Sequence, residues 1–579
     1  SVHFKDGTIE QDDMDAFARR LKEDLENELA EKWEEFDQLS NFDQEQEIQW
    51  GFIQQKAEGF CARGREIDLL MSKIQSWSNG SKCKKQNVFS KNFVHFIIGS
   101  SGSGKSTMLS KLAVCLRQEG RDVLPFIGGL TMDSNDTIRV LNNIVYYIEE
   151  QLEIDHQVKF GVDEARYVTK KELGESVAQG HTSIATLNRQ KLQKRLEEVA
   201  EQYVDGHSPL IVLIDALDQF YPDENRDDLV FCSPKLNGNV QFIITCTPEI
   251  RTKAVDKTIL KKLKGDDQLL TIRSALKYRH KEISEEVISE LLKSKGTENP
   301  LYISMVMDGL MLMDQKDFCL INKQGGQSDA IASYQKNLIA FFPEDLSEMA
   351  VSLFEKSGEI IGKPFTQKAL EYIAISRQGL RESDLAYCMG KDWDSTSFSN
   401  LMFYLNDQFL IHADGRIDFT HKVLRQGVLS KIQNAEAMAM HLKLEWCYHE
   451  REVEDSVRAS EILYHCFCRN DYKYAAGVVY PIVYQNFSSD KDVLKETSRR
   501  YAQTIAELAM SDRGEWVQKW LCFLADDAKT SKNNKDLESR KWDAVWKVLW
   551  FLNRFVLCEL PYTQSGNETG GAITMYMLA

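Results

Sequence analysis

Apolar residues recur every three or four positions over residues 11–37, at Met14, Phe17, Leu21, Leu25, Leu29, Trp33 and Phe36, with acids between them. That period predicts one amphipathic helix. It is expected to pack on the domain that follows and to connect it to a module upstream. A short unit at 60–74 begins Phe-Cys-Ala-Arg-Gly-Arg-Glu and continues with a helical pattern. From 93 to about 250 the pattern changes to apolar runs alternating with helical stretches, as a parallel α/β sheet requires. Strands are predicted at 94–98, 123–127, 210–214 and 240–245, and helices at 106–118, 135–152 and 186–203. Residues 153–185 are polar and read as a loop or irregular insertion. After 270 the pattern is almost wholly helical. Two short apolar runs, 409–411 and 417–419, flank Ala413-Asp414-Gly415-Arg416 and predict a hairpin.

The pattern therefore predicts an α/β domain, a parallel sheet with flanking helices, followed by a helical domain, a winged helix and an α-helical C-terminal region. The expected boundaries are a connector helix at 1–54, the α/β domain at 55–265, the helical domain at 266–344, the winged helix at 345–432 and a helical region at 433–579. Residues 562–579 could open a helical repeat array, but one unit sets no period. The chain starts at Ser1 and stops in the apolar stretch 572–579. We therefore expect it to be the middle of a longer polypeptide.

The candidate chemistry sits at the ends of the predicted strands. Gly99-Ser100-Ser101-Gly102-Ser103-Gly104-Lys105-Ser106 is G-x-x-x-x-G-K-S between a strand and a helix, with Thr107 following, the phosphate-binding P-loop that makes 55–265 an expected α/β P-loop NTPase domain. The glycines let the backbone wrap a polyphosphate with its N–H groups inward, and the helix adds the positive end of its dipole. Lys105 is expected to reach the β- and γ-phosphates and the Ser106 hydroxyl to ligate Mg²⁺. Leu210-Ile211-Val212-Leu213-Ile214-Asp215 is an apolar strand ending in an acid, the Walker B pattern. Asp215 would hold Mg²⁺, directly or through water, and Asp218 could polarise an attacking water or be a plain turn residue. Thr245 ends the next strand, where a polar side chain could sense a γ-phosphate or simply cap the strand.

Composition narrows the partners more than the fold. The 579 residues are 43% hydrophobic and 27% charged, with a net charge of −17 and a pI near 5.3, so a general nucleic-acid footprint is absent. The lysines at 82, 84, 85 and 91 read as a solvated loop. Twelve scattered cysteines show no zinc spacing and suggest reduced thiols, and no run is long enough to span a membrane. A cytoplasmic location is expected. No nucleophile triad is apparent, and His207 is assigned no role.

The order P-loop, apolar-Asp215-Ala216-Leu217-Asp218, Ile244-Thr245-Cys246-Thr247-Pro248, Asn299-Pro300-Leu301-Tyr302 and winged helix resembles the STAND NTPases. Within them it is most similar to the NACHT branch typified by nephrocystin-like and telomerase-associated-protein-like ATPases. The resemblance covers roughly residues 55–430 and is less specific beyond. It implies that Gly64-Arg65-Glu66 lies against the adenine, with Arg65 binding nucleotide and ATP or ADP the ligand. It further implies that Pro300 closes over the base and that His421 reaches the ADP β-phosphate. One departure stands out: many relatives carry Arg in the segment after the fourth strand, where this chain has Thr247.

The resemblance implies a switch. ADP would bridge the NTPase domain and the winged helix, and a trigger, expected to be a protein sensed by the C-terminal region, would loosen the closed form. ATP would then favour self-association into a homo-oligomer that clusters an N-terminal effector, in innate immune or antiviral defence. The alternative is a nucleotide-stabilised scaffold or assembly protein of the ciliary or ribonucleoprotein type. An AAA-type motor lacks an identifiable trans arginine, and DNA binding by the winged helix is disfavoured by Asp384, Asp392 and Asp394.

Overall fold

The computed structural model describes residues 11–81, 93–130, 137–154, 184–204, 207–220, 231–250, 256–323, 328–450, 455–475 and 514–530, except positions 237 and 413, together with a few isolated positions. A two-residue pair, β1 (Phe4–Lys5) and β2 (Thr8–Ile9), precedes the first helix. The centre of the molecule is a parallel sheet of β3 (Val94–Ile98), β4 (Val123–Ile127), β5 (Leu210–Asp215), β6 (Val240–Cys246) and β7 (Lys257–Ile259), in the order β4-β5-β6-β3-β7. Every residue of β4, β5 and β6 is buried, which explains their unbroken apolar runs. Pro125 is tolerated inside β4 because that strand lies at the sheet edge.

Alternate side chains feed two cores, as a two-residue period dictates. Ile97, Ile211, Leu213 and Ile243 pack with α2 (Asn41–Glu58), α3 (Gly64–Ser81) and α4 (Lys105–Gln118). Phe96, Val212, Ile214, Phe242 and Ile244 pack on the other face with α5 (Thr137–Gln151) and α6 (Ile184–Tyr203). The predicted strands and helices agree with these bounds to within two residues. Strand β7 was not foreseen: it is three residues long and two of them are exposed, so it carries no readable period.

The N-terminal helix requires a correction. α1 (Gln11–Asp37) forms as its period predicts, but its apolar stripe does not pack on the next domain: Phe17 is 63% exposed and Leu29 64%, with Leu21 and Leu25 about half exposed. The helix that does pack is α2. Ser40 caps it by accepting a hydrogen bond from the Asp43 N–H, and Phe42 and Ile53 lie within the two sheet cores. The sheet-packing chain therefore reaches back ahead of residue 55. The polar stretch expected at 153–185, the lysines at 82–91 and the 562–579 segment lie outside the described residues, apart from positions 153–154 just after α5 and the start of α6.

One apolar core runs through the helical half from Leu263 to Cys447. It takes in α7 (Asp266–Tyr278), α8 (Glu285–Leu291) and α9 (Pro300–Met311), passes over α10 (Gln315–Lys323), and continues through α11 (Ser328–Phe341), α12 (Leu346–Ile361), α13 (Lys363–Ile375), α14 (Glu382–Met389), α15 (Ser395–Tyr404), α16 (Lys422–Leu429) and α17 (Asn434–Glu450). Strands β8 (Phe409–Ile411) and β9 (Ile417–Phe419) form the predicted antiparallel hairpin, and Leu380 bridges to Ile417 beside it. Further on, α18 (Asp455–Cys468) and α19 (Gly514–Thr530) meet where Phe467 and Trp520 pack edge to face, 5.1 Å apart.

Candidate nucleotide site

The turn between β3 and α4 is shaped by its glycines. Gly102 and Gly104 have φ of +71° and +88°, a left-handed region that side-chain-bearing residues adopt only under strain. A Cβ at Gly99 would stand 2.4 Å from Ser103 Oγ. Ser103 is buried, and its hydroxyl has no hydrogen-bond partner among the described residues. Lys105 Nζ donates to the Gly99 and Ser100 carbonyls at 2.8 and 3.0 Å, so the ammonium lies across the loop. Burial lowers its pKa, and Asp218 and then Asp215 oppose that shift. Ser106 and Thr107, half-buried, follow in the first turn of α4.

The strand order inserts β6 between the strands that carry the loop and the acid, which places Thr245 beside both. Asp215 ends β5 and is buried. Thr245 Oγ1 donates to Asp215 Oδ1 at 2.5 Å and accepts the Ala216 N–H at 2.7 Å. Ser106 also hydrogen-bonds to the Asp215 side chain. Burial raises the Asp215 pKa, and these hydrogen bonds followed by Lys105 act against it. Ala216 turns the chain at φ +53°, and a short 3₁₀ turn brings Asp218 Oδ1 within 3.1 Å of the Thr247 N–H. The Thr247 hydroxyl serves Glu249, whose carboxyl it holds below the usual range. Among the described residues that directly follow β6, Thr247 to Ile250, there is no cation.

The helical half sits directly on the loop. Asn299 caps α9 by accepting the Leu301 N–H, and its Nδ2 donates to the Ser101 carbonyl at 3.1 Å. The Leu301 N–H also lies 3.3 Å from the Gly102 carbonyl. A Cβ on Gly102 would come within 2.6 Å of Leu301, and one on Gly104 within 3.9 Å of Pro300 Cγ. Pro300 takes the first helical position, where its missing N–H costs nothing.

A second contact comes from the hairpin. His412 Nδ1 lies 3.2 Å from the Leu130 carbonyl, and Leu410 packs against the sheet core. His421 occupies the N-cap position of α16 without a side-chain capping bond, and burial, followed by the ammonium groups of Lys56 and Lys105, lowers its pKa to about 3. Its ring is therefore neutral near pH 7. Behind the hairpin Arg279 bridges Asp308 at 2.7 Å and Asp407 at 2.6 Å, while Gln408 donates to Asp308. Burial pushes Asp308 up to about 6 despite the guanidinium.

The structure thus brings together Gly99 to Thr107, Asp215, Asp218, Thr245, Pro300 and His421. Arg65 stands apart: it is exposed in the first turn of α3 and, among the described residues, makes no ion pair or side-chain hydrogen bond. Its neighbour Arg63, at φ +69°, instead donates to the Lys261 carbonyl at 2.8 Å. Sequence reasoning missed Asn299 and Leu301 as loop contacts, although an Asn-Pro pair opening a helix is a legible cap signal. It also missed Lys56, which lies inside an amphipathic pattern and carries no motif.

No family model matches the chain. It is 24% identical over 448 residues to a TPR repeat-containing protein of Dictyostelium discoideum, an alignment covering 71% of this chain and 26% of that protein. The chain thus spans about a quarter of the length of the curated relative it matches. Among solved structures, it is similar to a Walker-type ATPase of Pyrococcus abyssi (12% identity, TM-score 0.27, covering 62% of this chain and 95% of that one). The Aeropyrum pernix ORC1 protein in complex with DNA gives 12% identity and a TM-score of 0.27, covering 64% and 93%. AMPPCP-bound DnaA from Aquifex aeolicus gives 13% and 0.25, covering 67% and 94%. At such scores the likenesses carry no argument, and the class rests on the geometry above. The strand order, the glycine-shaped turn and the buried Asp215 beside Ser106 define an α/β P-loop NTPase fold. No described helix is long and apolar enough to cross a membrane.

Proposed function

We propose that this chain is an ATP/ADP-operated switch of the STAND type, in the NACHT branch, with Mg²⁺ as companion ion. The observation that carries the reading is the seating of Asn299 and Leu301 on the P-loop, with His421 close enough to Lys105 for its pKa to respond. A nucleotide held by the loop would then touch both halves of the molecule, and the two halves would feel its phosphates differently. That difference is what a population shift between two states requires.

The residues fit a Mg²⁺-nucleotide. Positive-φ glycines leave room for backbone N–H groups to face phosphate, and the Ser103 hydroxyl is buried without a partner among the described residues. Ser106 and Asp215 form an oxygen pair of the kind Mg²⁺ prefers. Bound there, Mg²⁺ would neutralise charge on the phosphate oxygens. Lys105 holds the phosphates, Thr245 orients Asp215, and Asp218 stands where it could accept a proton from water. Neutral His421 can donate one N–H to a phosphate oxygen. Pro300 closes over the base, and Arg65 reaches the adenine only if the first turn of α3 moves.

In this reading 266–344 is the helical domain, 345–432 the winged helix and 433–579 the start of a sensor. The order α13, Leu380, α14, α15, β8, β9 supports the winged helix, and its hairpin turns toward the sheet through Leu410 and His412. That supports a regulatory cover over a DNA reader. Release of the cover would permit self-association and clustering of an N-terminal output module, in innate immune or antiviral defence, with a protein as trigger. Hydrogen exchange of the full chain with ADP and with a non-hydrolysable ATP analogue tests this. Slower exchange at 299–303 and 420–424 with ADP than with the analogue is expected. Equal exchange in both would remove the switch.

A further inference from the structure

Helix α2 carries a stripe, Gln49, Ile53 and Lys56, spaced so that the three lie on one face. Gln49 is buried and its Oε1 accepts the Ile127 N–H at 2.8 Å, at the end of β4 beside Asp215. Ile53 is buried with Met108 and Leu109, in the first turns of α4. Arg117 stacks on Trp50 at 4.4 Å, a further tie between α2 and α4. These contacts fix the direction of the stripe, and Lys56 continues it past Ile53 toward the start of α4. There it is half-buried, with Nζ 5.5 Å from the Phe52 ring. Burial lowers the pKa of Lys56, Asp407 and then Asp215 oppose that shift, and Lys56 and Lys105 both act on His421. Four elements, α2, the P-loop, β5 and the start of α16, thus converge on one small volume.

We propose that Lys56 is a phosphate-binding residue, the second ammonium of the site, entering from α2 to supply the positive charge that Thr247 does not. The inference rests on the nucleotide reading above and assigns it a residue outside the recognised motifs. A half-buried ammonium is costly unless an anion meets it. Asp407 already serves Arg279 at 2.6 Å, and Asp215 is satisfied by Thr245 and Ser106. A polyphosphate between Lys56 and Lys105 would give the ammonium its strongest partner. It would also join α2, and hence the segment leading to α1, to the state of the nucleotide.

Two measurements on the full chain test this. First, fluorescent ADP and ATP are titrated in Mg²⁺ against the parent, Lys56→Gln, Lys56→Arg and Lys105→Ala. Losing one charged hydrogen bond predicts affinity about ten- to a hundred-fold weaker in Lys56→Gln, largely restored in Lys56→Arg. Parent-like affinity in Lys56→Gln, while Lys105→Ala loses binding, overturns the role of Lys56 and leaves the nucleotide reading intact. A parent that binds neither nucleotide overturns both. Second, acetylation of Lys56 in the unmutated chain is followed by mass spectrometry, so that no variant need fold. Protection by Mg²⁺-ADP but not by adenosine is expected, and equal labelling under both conditions overturns the proposal.

Discussion

The two sides of the nucleotide site are built differently. The sheet side, from Gly99 to Ser106 with Asp215 and Thr245, is made of strand ends and one turn, all anchored in buried parallel strands. The cover side, Asn299 to Leu301 and His421, comes from two separate elements and reaches the loop through a few polar contacts and one close van der Waals approach. Rigid strand ends suit binding, whereas a cover held by few contacts can leave. The difference assigns affinity mainly to the sheet side and discrimination between nucleotides mainly to the cover.

Perturbing each side separately tests that division. Lys105→Ala has the largest expected effect, a loss of at least about a hundred-fold in ADP affinity by calorimetry, since its ammonium spans the loop. Undiminished affinity would dissolve the sheet side as a site. Thr245→Val removes the donor to Asp215 and the acceptor for the Ala216 N–H, both deep in the protein. We expect about 2–3 kcal/mol less stability in urea denaturation. A change under about 0.5 kcal/mol would mean that the hydroxyl organises nothing.

Gly102→Ala strikes where the two sides touch. The added methyl meets Leu301 at 2.6 Å on a backbone of φ +71°, so about 1–2 kcal/mol of strain is expected. Part of it should be relieved by lifting Asn299 to Leu301 off the loop, seen as faster hydrogen exchange at 299–303. Unaltered exchange there would show that the cover does not depend on this contact. The smallest effect is a pH dependence. His421 titrates near 6.5 when unfolded and near 3 when folded, because burial opposes its charge. The unfolded chain therefore binds the extra proton first. His421 contributes no pH-dependent loss above about 6.5, and stability falls as pH drops from there toward 3. His421→Gln should flatten that slope between pH 6.5 and 5 in urea titrations, and an identical slope would mean the ring is solvated.

The sheet side was legible in the sequence because its chemistry and its geometry share the same residues. A run such as Leu210 to Asp215 states its burial, its direction and its acid at once, and the P-loop glycines announce the φ they need. The cover was legible only in part. Pro300 and His421 were found through a family resemblance, but Asn299, two positions away from Leu301, acts by reaching a carbonyl some two hundred residues earlier, which no local pattern records. The paired helices α1 and α2 make the same point. Both carry apolar positions at helical spacing, yet α2 is locked to the sheet by Gln49 and Ile53 while α1 leaves Phe17 to Leu29 in solvent. Periodicity reports a helix and its apolar face; it does not report what covers that face. Lys56 is hidden for a related reason, since a lysine at the end of a helix is ordinarily solvated and only the placement of β5 and α16 brings it to Asp215 and His421.

The most direct test of the central claim is the nucleotide content of the purified chain, released by denaturation and separated by chromatography. The account predicts close to one ADP per chain, retained until the cover is loosened. A chain that releases no nucleotide, and that takes up neither ADP nor ATP when they are supplied with Mg²⁺, would contradict it.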